Sequence, residues 1–233
     1  MSDQTVAVEE KKVVVKEREP LFSKKNKKLI SDPLDENNPI TIQVLGICSA
    51  LAVTVQMKAA VVMSVAVLFV LILANVSISL IRNLIPNRIR IIVQLVVVAS
   101  LVIIVDQVLK AYLFDVSKEL SVFVGLIITN CIIMGRLEAF ALGNKPWPAA
   151  LDAIGNSLGY GMVLVIVSFF KELFGSGKLF GFEIFGNATE QTGLYSMGYM
   201  DNGLMLLPPS SLILVAVYIW IQKLRNPSLI ETH

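Results

Sequence analysis

Polar and apolar positions along this chain fall into blocks. Stretches free of Asp, Glu, Lys and Arg run from Asn37 to Met57, Ala59 to Ile81, Ile91 to Val105, Leu120 to Gly135, Ala153 to Phe170 and Asn202 to Gln222. Several approach the roughly 20 residues that a helix needs to cross about 30 Å of hydrocarbon. The period-two alternation of a membrane β-barrel is absent from them, and unpaired backbone groups are costly in lipid, so each block predicts a helix. The expectation is an all-α integral membrane protein with six transmembrane helices.

The blocks divide into two halves, a first three-helix repeat over residues 37–110 and a second over residues 119–225. Each half opens on a short, interrupted segment that holds one cysteine, and the cysteines lie 131 − 48 = 83 residues apart. Three spans is an odd number, so the second half enters the membrane in the opposite direction. That is the layout of an inverted-topology repeat, which places related sites near the midplane where the repeats meet. The opening segments are also the least lipid-like: Gln43, Gly46, Ser49, Thr54 and Gln56 in one, and Gly125, Thr129, Asn130 and Gly135 in the other. Small and amide residues of this kind favour close helix packing or support a break, so the first helix of each half is expected to be short or broken and buried in protein.

Residues 1–36 form a polar tail with runs such as EEKK and KKNKK. It lacks the apolar core of a signal peptide and reads as a mobile or surface-lying extension, with a solvated tail of no specific role as the alternative.

Charge gives the expected orientation. With six spans and the N-terminus inside, eleven Lys and Arg residues fall on the cytoplasmic side (Lys24, Lys25, Lys27, Lys28, Arg82, Arg88, Arg90, Arg136, Lys145, Lys223 and Arg225) against five outside (Lys58, Lys110, Lys118, Lys171 and Lys178). The excess puts both termini in the cytoplasm. The formal net charge of +2, with basic residues gathered at helix ends, gives a nucleic-acid partner no support. A hydrophobic content of 55% agrees with a lipid-embedded chain.

Two cysteines are too few for a disulfide framework, and the only histidine is His233 at the C-terminus, so axial-His haem and His-rich metal sites lack ligands within this chain. Cys48 in LGICSAL and Cys131 in TNCIIMG allow two readings. Free cysteine often behaves as a buried small hydrophobe. As a thiolate ligand, the pair is half of the four sulphurs that a 2Fe-2S cluster generally takes, so a cluster here requires a second subunit.

Acids form the other candidate set. Asp106 follows a long apolar run in IIVDQVLK, Asp152 opens a span in ALDAIGN, and Glu119 and Glu172 stand near helix ends. Intramembrane acids often mark ion routes, and Asp106 and Asp152 are the candidates for a cation path. The competing reading is interfacial: Asp106 pairs with Lys110 one turn on, and Asp152 complements a helix N-terminus. Gly155, Gly159 and Gly161 in IGNSLGYG imitate a nucleotide fingerprint, but no strand precedes them, and small-residue packing explains them better. The GSGKLFG loop lacks the spacing of a phosphate-binding loop. Asn187 in NATE matches a glycosylation sequon, a three-residue pattern too short to carry weight by itself.

The runs NNPITIQVLGICSALAVT, IRNLIPNRIRIIVQLVVVASLVIIVDQVLKAY, LSVFVGLIITNCIIMGRLEAFA, LDAIGNSLGYG, KELFGSGKLFG and LLPP closely resemble the D-type membrane subunits (NqrD) of the bacterial sodium-translocating NADH:quinone oxidoreductases. The resemblance extends from about Asn37 to Leu224, and the two cysteine motifs are its most specific part. It implies a six-helix inner-membrane subunit paired with a homologous E-type subunit (NqrE) of opposite topology. Two cysteines from each, here Cys48 and Cys131, hold an intramembrane 2Fe-2S cluster. The implied cluster relays electrons from an NADH-oxidising, FAD-binding subunit to covalently bound flavin across the membrane, with FMN and riboflavin elsewhere in the complex, and the electron flow drives sodium export. The chain alone shows no NADH, flavin or quinone site, so activity belongs to the complex. The related Rnf electron-transport complexes contain a similar subunit, and a secondary transporter built on inverted repeats is the alternative from another class.

Overall fold

The computed structural model describes residues 24–34, 37–86, 88–112, 125–176, 178–179, 182–183 and 203–225. Glu119, Lys118, Asn187 and the first 23 residues of the polar tail lie outside this set.

Three helices are long and apolar enough to cross a membrane: Met57–Ile81, Arg90–Tyr112 and Pro146–Gly175. In chain order the helices are α1 (Lys24–Ser31), α2 (Ile47–Val53), α3 (Met57–Ile81), α4 (Arg90–Tyr112), α5 (Cys131–Arg136), α6 (Pro146–Ser176), α7 (Gly203–Leu206) and α8 (Pro208–Arg225). A helical turn over residues 125–128 precedes α5. Among the described residues, the only extended structure is a minimal antiparallel hairpin after α6, in which Lys178 pairs with Glu183 and Leu179 with Phe182.

The remaining apolar blocks do not form single straight spans, and the reasons are local. Between Asn37 and Gly46 the backbone turns. The Asn38 carboxamide accepts the N–H groups of Ile40 (3.0 Å) and Thr41 (3.4 Å) and donates to the Gly159 carbonyl at 3.1 Å. Positive φ at Val44 (58°) and Gly46 (83°) then ends the turns, so α2 is only seven residues long. In the second half the chain breaks at Thr129 and Asn130. Asn130 caps α5 by accepting the Ile132 N–H, and α5 runs on into a π-helical turn over Leu137–Ala141. Leu207 breaks the last block ahead of Pro208 and Pro209, which supply no backbone N–H to a continuing helix.

The core lies between α3 and α6. Ala60, Ala74, Ala149 and Ala153 are fully buried, and these small side chains allow two long helices to approach closely. At Gly161 an added Cβ would stand 3.1 Å from Ser64 Cβ on α3. The α4 helix covers only a narrow stripe, Gln94, Val98 and Val102 at four-residue spacing, and leaves Ile91, Ile92, Ile103 and Ile104 exposed. A helix apolar on every side, with one stripe covered by protein, is a membrane helix on the rim of its bundle. It is tied at one end by Glu138 in the π turn, which pairs with Arg90 and accepts from Gln94 Nε2 at 3.2 Å.

The Lys24–Leu34 stretch, grouped by composition with the polar tail, packs on α6. The IGNSLGYG glycines make the seat: a Cβ at Gly155 would come within 2.5 Å of the Leu29 carbonyl oxygen, and one at Gly159 would come closer still to that of Pro33. This is the small-residue packing expected of the motif, with a docked terminal segment as its partner.

Candidate metal-binding site

The two cysteine segments meet. Gly46, two residues before Cys48, donates its backbone N–H to the Sγ of Cys131 at 2.8 Å. Packing reinforces the junction, because Gly135 approaches Leu45 so closely that an added Cβ would lie 3.0 Å from Leu45 Cδ1. Gly46 is needed twice: its φ of +83° suits a residue without Cβ, and a Cβ there would meet the Tyr160 ring at 2.9 Å.

Beneath the sulphurs lies a buried hydrogen-bond triad. Tyr160 Oη donates to Ser49 Oγ at 2.6 Å, and Asn130 Nδ2 donates to both Ser49 Oγ and Tyr160 Oη at 3.3 Å. Ser49 Oγ in turn donates to the Gly46 carbonyl at 2.8 Å. Ser49 follows Cys48 and Asn130 precedes Cys131, so the triad fixes the backbone beside each thiol from a rigid point on α6. The Cys48 thiol is exposed at the chain surface and that of Cys131 is half-buried. Among the described residues, no group of three or more His, Cys, Asp and Glu gathers around any point.

The candidate acids stand apart from the sulphurs. Asp106 accepts from Lys110 at 2.5 Å, one turn along α4, which is the pairing foreseen in the interfacial reading. Asp152 is 2% exposed and receives a bidentate grip from Arg136, Nε donating to Oδ2 at 3.0 Å and Nη2 to Oδ1. Asn156 donates to the same carboxylate at 3.1 Å, Gln43 accepts from Arg136 at 3.4 Å, and the guanidinium lies over the Phe140 ring. Glu172, at the other end of α6, accepts the Met57 N–H at 2.6 Å where α3 begins.

The Rnf-Nqr family of membrane-protein subunits matches residues 26–219. This chain belongs to that family. Among its relatives is the D chain of the Na(+)-translocating NADH-quinone reductase of Photobacterium profundum, 54% identical over 211 residues that span 90% of this chain and 97% of the relative. The match to the Rnf-Nqr family begins inside α1, so it takes in most of the docked segment and leaves out the first residues of the tail.

For a Rnf-Nqr subunit, the residues that sequence reasoning passes over are Tyr160 and Lys171. Tyr160 stands in a glycine-rich stretch where the glycines draw attention. Lys171 counts as an outside charge in the topology, yet it is fully buried, and its Nζ donates to Ser211 Oγ at 2.8 Å. A signal for both is present: Tyr160 is a polar group inside the charge-free block from Ala153 to Phe170, and Lys171 directly follows that block, where lipid gives a charge no partner.

Proposed function

We propose that this chain is a membrane subunit of a multisubunit sodium-translocating NADH:quinone oxidoreductase, and that Cys48 and Cys131 are its half of the ligand set of a 2Fe-2S cluster. A homologous E-type subunit of opposite topology supplies the other two thiolates. Two soft thiols on one junction fit half of such a donor set. The hydrogen bond from Gly46 to Cys131 Sγ is the observation that supports this reading most. It brings two segments far apart in sequence onto one site and offers a donor to a sulphur, the kind of contact that tunes cluster potential. Exposure of Cys48 leaves that side of the site open to a partner.

When bound, such a cluster relays single electrons between flavins on the two membrane faces. This chain's part is positional. Cys48 and Cys131 anchor, Gly46 aims an N–H at sulphur, Ser49, Asn130 and Tyr160 hold the two backbones in register, and the apolar bundle keeps water away. The proposal keeps six spans as two inverted repeats in the inner membrane with cytoplasmic termini. FAD, FMN and riboflavin belong to other subunits. Asp152 and Asp106 are proposed to line the cation route, where a passing cation competes with Arg136 and Lys110 for their carboxylates.

The test is Cys48→Ala and Cys131→Ala in the assembled complex. Each substitution is expected to remove the cluster's EPR signal and stop electron flow to the flavin beyond it, while NADH oxidation by artificial acceptors persists at the peripheral subunit. A cluster signal that survives both substitutions overturns the proposal.

A further inference from the structure

Beyond Asp152, the α6 helix carries two more buried charged residues, Lys171 and Glu172. Lys171 lies 171 − 152 = 19 residues further along, a rise of about 28 Å, close to the thickness of the hydrocarbon layer. Tyr160 and the cysteine junction fall between them. A buried charge in a membrane protein is normally paired with its opposite, but Lys171 belongs to none of the ion pairs among the described residues. Its hydrogen-bond partners among the described residues are two neutral oxygens.

Its Nζ lies 2.8 Å from Ser211 Oγ and 3.5 Å from the Leu207 carbonyl. Ser211 Oγ is in turn 3.2 Å from Thr54 Oγ1, and the Thr54 hydroxyl donates to the Ala50 carbonyl at 2.5 Å. Since Thr54 has only one hydroxyl proton, Ser211 donates to Thr54 and turns its lone pairs toward the ammonium. One turn back on α6, the fully buried Ser168 Oγ has no hydrogen-bond partner, so it stands outside hydrogen-bond reach of the ammonium. The oxygens come from two places where helices break: Thr54 ends α2, and Leu207 separates α7 from α8. Helix C-terminal ends and unwound carbonyls are where membrane transporters coordinate monovalent cations.

We propose that Thr54, Leu207 and Ser211 form a seat for an alkali cation of about sodium's size, filled here by the ammonium of Lys171. The lysine is then a tethered competitor of the transported ion, on the side of the cysteine junction away from Asp152. This inference rests on the reading of the chain as part of a sodium-translocating complex.

The experiment is a sodium titration of the assembled complex with Lys171→Met, which keeps most of the apolar stem and removes the charge. Half-saturation of sodium-dependent quinone reduction is expected at about tenfold lower sodium than in the native complex, a factor usual for coupled sites. Adding Ser211→Ala is expected to reverse the gain. If Lys171→Met fails to assemble, Ser211→Ala in the otherwise native complex carries the test, with a raised half-saturating concentration expected. An unchanged sodium profile in whichever variant assembles overturns the seat. The cluster's EPR signal, recorded on the same samples, separates the two ideas: its presence with an unchanged sodium profile removes the cation seat and leaves the cluster proposal standing.

Discussion

Gly46 and Cys131 are 85 positions apart in sequence and 2.8 Å apart as donor N and acceptor Sγ. That bond requires the left-handed backbone of Gly46, with φ at +83°. A side chain there strains the backbone and meets the Tyr160 ring, so Gly46→Ala is expected to cost about 1–3 kcal/mol and to turn the N–H away from the sulphur. The expected result is an assembled complex with reduced iron per flavin. Full iron content with an unshifted cluster potential would show that the bond has no part in holding the site.

Tyr160→Phe isolates the hydroxyl, because the ring over Gly46 remains. Asn130 Nδ2 loses one of its two acceptors, and Ser49 Oγ loses the closer of its two donors. Leaving buried polar groups short of partners costs about 1–3 kcal/mol. A loss of stability alone is compatible with a purely structural role. The readout that separates the two is the cluster's midpoint potential, which is expected to shift in Tyr160→Phe because the backbones carrying both cysteines lose a shared anchor.

How much of this is written in the residues can be judged from single cases. The long α3, α4 and α6 helices are legible because a charge-free run long enough to span lipid has few alternatives to helix. Breaks in the cysteine segments are foreshadowed by Gly46, Thr54 and Asn130. What stays hidden in the sequence are contacts between distant segments. Nothing near Arg136 announces Asp152 as its partner, and the approach of Pro33 to Gly159 depends on how a terminal segment folds back. Such pairings are decided by helix packing, which the one-dimensional pattern does not encode.

The two acids should behave differently. Arg136 and Asp152 are 15% and 2% exposed, whereas Lys110 and Asp106 are 47% and 20% exposed and lie one turn apart on a rim helix. Removing one member of a buried pair leaves an uncompensated charge and costs about 3–5 kcal/mol. Asp152→Asn is therefore expected to lower the thermal midpoint of the complex well below that of Asp106→Asn, and Arg136→Gln added to it should recover part of the loss. Sodium-dependent turnover, measured in the same samples, bears on the cation route: native sodium dependence in both Asp152→Ala and Asp106→Ala would remove these acids from it.

Docking of the Lys24–Leu34 segment depends on two missing side chains. A Cβ at Gly155 would lie 2.5 Å from the Leu29 carbonyl oxygen, and one at Gly159 would run into that of Pro33. Both obstacles are backbone, which cannot swing aside as the end of a flexible side chain can. Gly159→Ala is thus expected to push the segment off α6 at a cost of about 1–3 kcal/mol. Limited proteolysis reads this directly, since the segment is rich in lysines: cleavage within Lys24–Lys28 should speed up about tenfold for each 1.4 kcal/mol of docking energy lost. Gly125→Ala is the control, because its added methyl meets nothing within 4 Å. Equal cleavage rates in the two variants would mean that the segment is held by contacts other than the glycine seat.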